Sequence, residues 1–224
     1  MANCYSDGTG LIRLKKITPV IKAIFGAFEV RDYEDGLAFI QQESESSHST
    51  SYGGICEQIG NVDRDDILSS EEVQDVILGF AESFGKRAEV EVLIKDCTFA
   101  FDPEEDANLV FLFDLAQILD DDHGMTEISF SAGWHGDRMR LGYFGGFGEV
   151  INKDFKCASG SGSAEHLAER MTPAIQRGDV AEIAGILRKR VGVMIDGIAD
   201  PALREKVREQ LLQDTPSSTE VPKP

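Results

Sequence analysis

Hydrophobic residues recur at helical spacing in the middle of the chain, directly after a capping sequence. In the segment Ser69–Glu72, a serine hydroxyl and a glutamate three residues later can satisfy the free backbone N–H groups of a helix start. The apolar stripe that follows consists of Val73, Val76, Ile77, Phe80 and Phe84. This pattern predicts an amphipathic helix that begins near residue 70.

A second helix is predicted after Asp102 and Pro103, because aspartate is a preferred cap and proline is tolerated at the first helical position. Its apolar face would consist of Leu109, Leu112, Phe113, Ala116 and Leu119. Further apolar residues cover much of the remaining surface of this helix. The helix is therefore expected to be buried.

Alternating apolar residues predict strands in several other places. Residues 88–101 alternate with a change of parity near Asp96, which indicates a strand with a bulge. Residues 36–42 form another predicted strand, and the serine-rich residues 41–54 form a predicted loop. Residues 126–135 and 138–144 predict a hairpin that turns at Gly136 and Asp137, and Val150 and Ile151 extend its sheet.

The segment before these elements predicts a strand up to Thr18 and a short helix from Pro19, since the residue before proline avoids the helical region. The predicted fold class is thus α+β, with a mostly antiparallel sheet packed with two or more helices and followed by a small helical C-terminal segment.

The C-terminal part has a different composition and predicts a second region. The predicted organisation is an acidic α+β domain over 1–155, a Gly/Ser linker over 156–164, a helical segment over 165–213 and a disordered tail over 214–224. The predicted helices cover 164–176, 179–195 and 201–212.

Net charge adds the strongest functional signal. The 224 residues carry a net charge of −18. Residues 29–130 hold 26 acidic against 5 basic residues, a net of −21, whereas both flanks are close to neutral. A protein that binds DNA or RNA directly needs a basic patch, so this region argues against direct nucleic-acid binding.

The expected location is the cytoplasm. No apolar run approaches the roughly 18 residues of a membrane span, and residues 1–7 lack the features of a signal peptide. The four cysteines are far apart and contain no CxxC pair, which favours reduced thiols over a disulfide framework or a structural zinc site.

The acidic region leads to the first functional hypothesis, a non-catalytic acidic binding protein that docks on a basic protein surface. Its partner could be a nucleic-acid-binding protein, which the chain would inhibit by mimicking nucleic acid, as a mobile-element or phage inhibitor does. The predicted acidic face consists of Asp63, Asp65, Asp66, Glu71, Glu72, Asp75, Glu104, Glu105, Asp106, Asp120, Asp121 and Asp122.

A second hypothesis is a divalent-metal-dependent hydrolase. Asp120, Asp122, His123 and His135 carry carboxylate and imidazole groups suited to a divalent metal. The competing interpretation is a solvated acidic turn, which is the more common role of a charge run. No catalytic residue is assigned and no cofactor is predicted, since the chain lacks a GxSxG motif and a phosphate-binding glycine loop.

Aromatic residues near the predicted hairpin form a candidate contact with a partner. These residues are Trp134, Tyr143 and Phe147. The glycines beside them, Gly145 and Gly146, are better explained by sheet curvature or close backbone packing.

The third hypothesis is a structural or assembly subunit that forms a homo-oligomer, such as a homodimer, through its C-terminal helices. Arg188–Arg190 is a basic cluster next to an apolar stripe that must be buried somewhere. The stripe consists of Ile183, Ile186, Leu187, Val191, Met194 and Ile195. The cluster is either a solvated face or a contact with the acidic region of another copy.

Overall fold

The fold is that of a computed structural model, which describes residues 4–44, 50–60, 63, 66–67, 69–136 and 144–213. The chain forms two compact units. Unit 1 comprises Met1–Asn152 and Ala158–Ser161, and unit 2 comprises Lys153–Cys157 and Gly162–Pro224.

Unit 1 has an α+β architecture built on an antiparallel sheet. The strands are β1 (Cys4–Arg13), β2 (Arg31–Glu34), β3 (Leu37–Ser44), β4 (Glu127–Gly136), β5 (Phe144–Asn152) and β6 (Lys156–Gly160), of which Lys156 and Cys157 are assigned to unit 2. Their order in the six-stranded sheet is β2-β3-β1-β4-β5-β6. The helices of unit 1 are α1 (Pro19–Phe25), α2 (Tyr52–Gly60), α3 (Ser70–Ser83), α4 (Arg87–Asp96) and α5 (Leu109–Ile118). Unit 2 contains α6 (Gly162–Arg177), α7 (Val180–Asp196) and α8 (Pro201–Gln213).

Glycines in β1 allow a phenylalanine of β4 to lie against the neighbouring strand. A Cβ atom at Gly8 would lie 2.4 Å from the Phe130 ring, and one at Gly10 would lie 2.4 Å from the Ser129 carbonyl oxygen. Phe130 is 3% exposed and packs edge-on against Phe28, with 6.0 Å between ring centroids. One face of the central strand pair is therefore part of the buried core.

An aromatic cluster joins α2 to α5 in the second part of the core. The ring of Tyr52 lies 5.1 Å from that of Phe101 and 6.3 Å from that of Phe111. The Tyr52 hydroxyl accepts a hydrogen bond from the backbone N–H of Asn108, the residue that caps α5. Burial raises the pKa of Tyr52, so its hydroxyl is neutral over the physiological range.

Several predicted elements are confirmed. Helix α3 begins after Ser69, whose hydroxyl accepts from the Glu72 N–H, and α1 begins at Pro19 with Thr18 as its cap. The predicted strand over 36–42 corresponds to β3, and Val150 and Ile151 lie in β5. The three C-terminal helices are present as α6, α7 and α8.

The strand predicted over residues 88–101 is wrong, because most of that segment is helix α4. Within α4, only Val90 and Ile94, which are four residues apart, are buried, whereas Val92 is 59% exposed. Alternation fits all three apolar positions, but helical spacing fits only Val90 and Ile94, since Val92 lies about 200° from Val90 around the helix axis. The ion pair of Glu91 with Lys95 at a spacing of four residues stabilises the helix instead.

The start predicted for the second helix is also wrong. Asp102 caps a turn by accepting from the Glu104 N–H, and α5 begins only at Leu109, after Asn108. Helix α2 was not predicted, because Tyr52–Gly54 read as part of a loop.

Three further predictions concern the linker, the hairpin and the C-terminal tail. The predicted linker over 156–164 contains β6 and the first residues of α6. The turn of the predicted hairpin and most of its second strand lie outside the described residues, and the strand that pairs with β4 is Phe144–Asn152. The predicted tail over 214–224 also lies outside them.

Candidate partner-binding surface

The turn over residues 102–106 is held against the first residues of α2. The backbone N–H groups of Tyr52 and Gly53 donate to the carbonyl oxygens of Glu105 and Pro103, each at 3.0 Å. The Thr50 hydroxyl donates to the Asp106 carboxylate at 2.7 Å. The backbone of the turn is therefore fixed, while its acidic side chains are exposed. The positive end of the α2 dipole also favours negative charge at this position.

Helix α3 presents further carboxylates on its outer face. Val73, Ile77 and Ala81 are buried, whereas Glu71 and Asp75 are exposed. A spacing of four residues places Glu71 and Asp75 on the same face, about 6 Å apart along the helix axis.

Helix α2 connects these two acidic segments. Its first residues contact the turn, and the Cys56 thiol donates to the Val73 carbonyl oxygen of α3 at 3.8 Å. The two points of contact on α2, Tyr52 and Cys56, are four residues or about 6 Å apart. We call the exposed carboxylates of both segments, together with Asp63 and Asp66 ahead of α3 in the chain, the acidic surface. It consists of Asp63, Asp66, Glu71, Glu72, Asp75, Asp102, Glu104, Glu105 and Asp106.

Ion pairing distinguishes the acidic surface from the neighbouring acidic residues. The pairs around α4 are Lys86–Glu89 at 3.0 Å, Arg87–Glu82 at 3.1 Å and Lys95–Glu91 at 2.8 Å. Hydrogen bonds from Lys86 and Lys95 lower the pKa values of Glu89 and Glu91. Among the described residues, no lysine or arginine forms an ion pair with Glu71, Asp75 or Glu105. Within the acidic surface, the charges of Glu71, Asp75 and Glu105 are therefore not compensated by a basic side chain of the described residues.

The predicted acidic residues after α5 have a different environment. Asp122, with a φ of 72°, accepts from Lys15 at 3.3 Å and from Lys16 at 3.0 Å. These hydrogen bonds, with the one from Lys16 as the larger cause, lower the pKa of Asp122. Two basic residues thus compensate this carboxylate. Asp65, which was also predicted for the acidic face, lies outside the described residues.

His123 lies next to Asp120 and Asp121, and potential ligand atoms of the three residues lie within 4.8 Å of one another. The imidazole is 1% exposed and both of its nitrogens are engaged. Nδ1 accepts from the Met125 N–H at 2.9 Å, so Nε2 carries the proton and donates to the Ala116 carbonyl oxygen at 3.0 Å. This geometry makes His123 a structural cross-link between α5 and the following loop.

Asp121 has one carboxylate oxygen without a hydrogen-bond partner. Oδ2 accepts from the Val20 N–H at the start of α1, at 3.3 Å. Oδ1 is buried and has no hydrogen-bond partner within the described part of the chain. A buried carboxylate oxygen without a partner is costly, so a bound cation is one way to satisfy it.

The structure does not bring together the four residues predicted as metal ligands. The Asp122 carboxylate contacts lysines, and His135 stacks on Tyr5 with 5.3 Å between ring centroids. His135 lies eight residues beyond Glu127 along β4, or about 26 Å in an extended strand. Asp120 and His123 are close to each other, and Asp121 takes the place of the more distant residues.

The structure describes two of the three residues predicted as an aromatic contact, Trp134 and Phe147. Trp134 and Phe147 are 38% and 40% exposed, and the strand register places them on the same face of the sheet. A Cβ atom at Gly145 would lie 2.3 Å from the Trp134 ring, which confirms the predicted role of that glycine in close packing. Tyr143 lies outside the described residues, and Phe144, which was not predicted, is 83% exposed.

Comparisons with protein-family models, with curated proteins and with solved structures find no match to this chain. The helices within the described ranges are all too short or too polar to cross a membrane.

Proposed function

We propose that the protein is a non-catalytic acidic binding protein that uses its acidic surface to dock on a basic protein surface. The observation that carries this proposal is the contrast in ion pairing between two neighbouring groups of carboxylates. Those around α4 have lysine or arginine partners, whereas Glu71, Asp75 and Glu105 have none among the described residues.

Uncompensated charge on a fixed backbone suits recognition by a basic partner. The hydrogen bonds from α2 hold the turn over 102–106 in one conformation, so little backbone entropy is lost when a partner binds. Long-range attraction also accelerates association and makes it sensitive to salt.

The sharper form of the proposal is an inhibitor that mimics nucleic acid. Glu71 and Asp75 are separated by about 6 Å along α3, close to the rise of about 3.4 Å per nucleotide along the DNA helix axis taken over two nucleotides of one strand. Glu104–Asp106 adds three consecutive carboxylates. A nucleic-acid-binding protein would then be the partner, and its binding groove would be the site of contact.

A cytoplasmic location belongs to the same proposal. Cys56, Cys97 and Cys157 are free thiols, which is the usual state in a reducing compartment. Burial raises the pKa of Cys56 to about 12, so that this thiol is unreactive.

The proposal is tested by capturing partners from a lysate of the native host at low salt and eluting them with increasing salt. The test variant combines Glu71→Gln, Asp75→Asn and Glu105→Gln. The matched control combines Glu82→Gln, Glu89→Gln and Glu91→Gln, which changes the net charge equally but acts on ion-paired carboxylates.

We expect the test variant to lose a basic nucleic-acid-binding partner that the control retains, and we expect duplex DNA to displace that partner. Equal loss in both variants would mean that only net charge matters and would overturn the proposal. If the partner depends on the test residues but duplex DNA does not displace it, only the mimic form is refuted.

A divalent-metal-dependent hydrolase is the second candidate, favoured by the partnerless buried oxygen of Asp121. Asp120 and Asp121 would supply carboxylate ligands, but His123 could bind a metal through Nε2 only after losing its hydrogen bond to Ala116. Calorimetric titration with Mn²⁺ or Zn²⁺ tests this function. Binding that disappears in Asp121→Asn would support it, and no binding to the wild type would refute it.

A further inference from the structure

Helix α7 of unit 2 carries a line of exposed apolar side chains, which differs from the predicted apolar stripe and which we call the exposed stripe. The stripe consists of Val180, Leu187, Val191 and Met194, which are 76%, 46%, 41% and 57% exposed. At about 100° per residue, these four side chains fall within a sector of about 60° and extend over about 21 Å. They form a continuous line of the kind that receives another helix.

The position of α7 within unit 2 is already fixed without this stripe. Ile186 and Ile195 are buried. Ion pairs from Arg177 to Glu182 and from Arg208 to Asp196 connect α7 to α6 and α8, respectively. The side chains of the stripe therefore remain exposed to solvent after the three helices have packed together.

Basic residues border the stripe on both sides. On a helical projection, Arg190 lies about 40° beyond Met194 at one edge and Arg188 lies about 60° beyond Val191 at the other. Both arginines are exposed, and neither forms an ion pair within the described residues. Lys189 is also exposed but lies on the opposite face of α7.

Charge complementarity decides which occupant fits this stripe. Two copies of α7 related by a two-fold axis would place arginines of both copies along a shared edge, whether the helices run parallel or antiparallel. Such pairing is repulsive, as like charges beside a helix interface disfavour it. An anionic membrane would attract the arginines, but it would repel a chain of net charge −18.

We propose that the exposed stripe of α7 binds an acidic amphipathic helix of another protein. The apolar residues of the partner, spaced three or four apart, would pack on Leu187 and Val191. Aspartate or glutamate at its flanks would pair with Arg188 and Arg190. This is the helix-in-groove mode of recognition with charge at the rim setting the specificity. The site is independent of the acidic surface of unit 1.

The test uses two synthetic helical peptides of about 20 residues, long enough to form a helix. Both carry leucine at every third or fourth position, with glutamate flanks in one and lysine flanks in the other. Fluorescence anisotropy measures their binding to the full chain. We expect the acidic peptide to bind at least about tenfold more tightly than the basic one.

Two variants localise the binding. Leu187→Ser with Val191→Ser should weaken binding of the acidic peptide by about tenfold or more, as expected for central apolar contacts. Arg188→Glu with Arg190→Glu should reverse the preference towards the basic peptide. The controls are Val193→Ser, which replaces another exposed residue of α7, and Lys189→Glu, and both should leave binding within about twofold.

Several outcomes would overturn this inference. These are failure of the acidic peptide to bind, equal affinity for both peptides, or equal losses in the stripe variants and in their controls. A dimer that light scattering detects and that Leu187→Ser with Val191→Ser dissociates would assign the stripe to a second copy. Binding to anionic vesicles that depends on the same residues, without binding of the acidic peptide, would assign it to a membrane. Circular dichroism checks that every variant retains its helix content.

Discussion

Replacement of His123 by alanine tests the interpretation of the buried cluster after α5. The substitution removes two hydrogen bonds, from the Met125 N–H and to the Ala116 carbonyl oxygen. Each bond contributes about 1 kcal/mol, and leaving a buried partner unsatisfied adds about 1–3 kcal/mol. The imidazole is 1% exposed, so its loss also leaves a cavity. Because these costs overlap, we expect His123→Ala to lower the free energy of unfolding by about 3–5 kcal/mol.

Urea unfolding followed by circular dichroism measures this change, and Asp120→Ala is the matched control. Asp120 belongs to the same cluster but is exposed, and its contacts are long, at 3.4 Å to the Gly124 N–H and 3.5 Å to His123 Nε2. Its loss should therefore change the free energy of unfolding by less than about 1 kcal/mol. A loss below about 1 kcal/mol for His123→Ala would refute the structural role. If His123 and Asp120 instead serve a metal, both variants should abolish a stabilisation of the wild type by Mn²⁺ or Zn²⁺.

Three further predictions concern the sheet and α4. Burial raises the pKa of Glu149, so its charged form destabilises the fold. Glu149→Gln should therefore raise the free energy of unfolding at pH 7. Denaturant titrations should show this gain disappearing below about pH 4, where the carboxyl group of the unfolded chain is itself protonated. Gly10→Ala should lower the free energy of unfolding by about 2–4 kcal/mol, because its Cβ would meet the Ser129 carbonyl oxygen. Gly79→Ala, in α3 with no atom within 4 Å of the added Cβ, should instead raise it by about 0.5–1 kcal/mol. Similar urea midpoints for the two variants would contradict this. Val90→Ser should lower the melting temperature by several degrees more than Val92→Ser, since only Val90 is buried in α4, and equal effects would favour a strand there.

The parts of the fold that could be predicted from sequence are those where local signals agree. At Ser69 the cap and the apolar stripe of α3 indicate the same helix, and at Pro19 the proline and Thr18 indicate the start of α1. The prediction failed where a short apolar pattern fits two periods. Val90 and Ile94 are an example, because a spacing of four residues is compatible with one face of a strand and with one face of a helix, and the exposure of Val92 shows that the helix formed.

Helix α2 shows a second limit of sequence patterns. Gly53 and Gly54 disfavour a helix by intrinsic propensity, yet both are buried in α2. Contacts from residues far along the chain stabilise this helix start, since its N–H groups donate to the turn at residues 103–105 and Tyr52 packs on Phe101. No local pattern contains those contacts. The same contacts hold the turn over residues 102–106 against α2, so the sequence could predict Glu104, Glu105 and Asp106 as acidic-face residues but not their position beside α2.

Within the acidic surface, carboxylates that have a local structural role can be separated from those that have none. Only the second group calls for a partner as its explanation. Glu72 hydrogen-bonds to the Ser69 hydroxyl at the start of α3, Asp102 caps the acidic turn, and Asp106 accepts from Thr50. The fold alone explains those three acids. Glu71 gains about 0.3–1 kcal/mol from the positive end of the α3 dipole, which explains its charge in part.

Asp75 has no comparable local explanation, and Glu105 has only the positive end of the α2 dipole. Both are exposed, and neither side chain hydrogen-bonds to a described residue. Asp75 follows Glu71 by four residues, where two like charges on a helix cost about 0.2–0.5 kcal/mol. A carboxylate at a position that is unfavourable for the isolated chain is better explained by interaction with something outside it. The proposal of a basic partner therefore rests most directly on Asp75 and Glu105, and single substitutions at these two positions are its most stringent test.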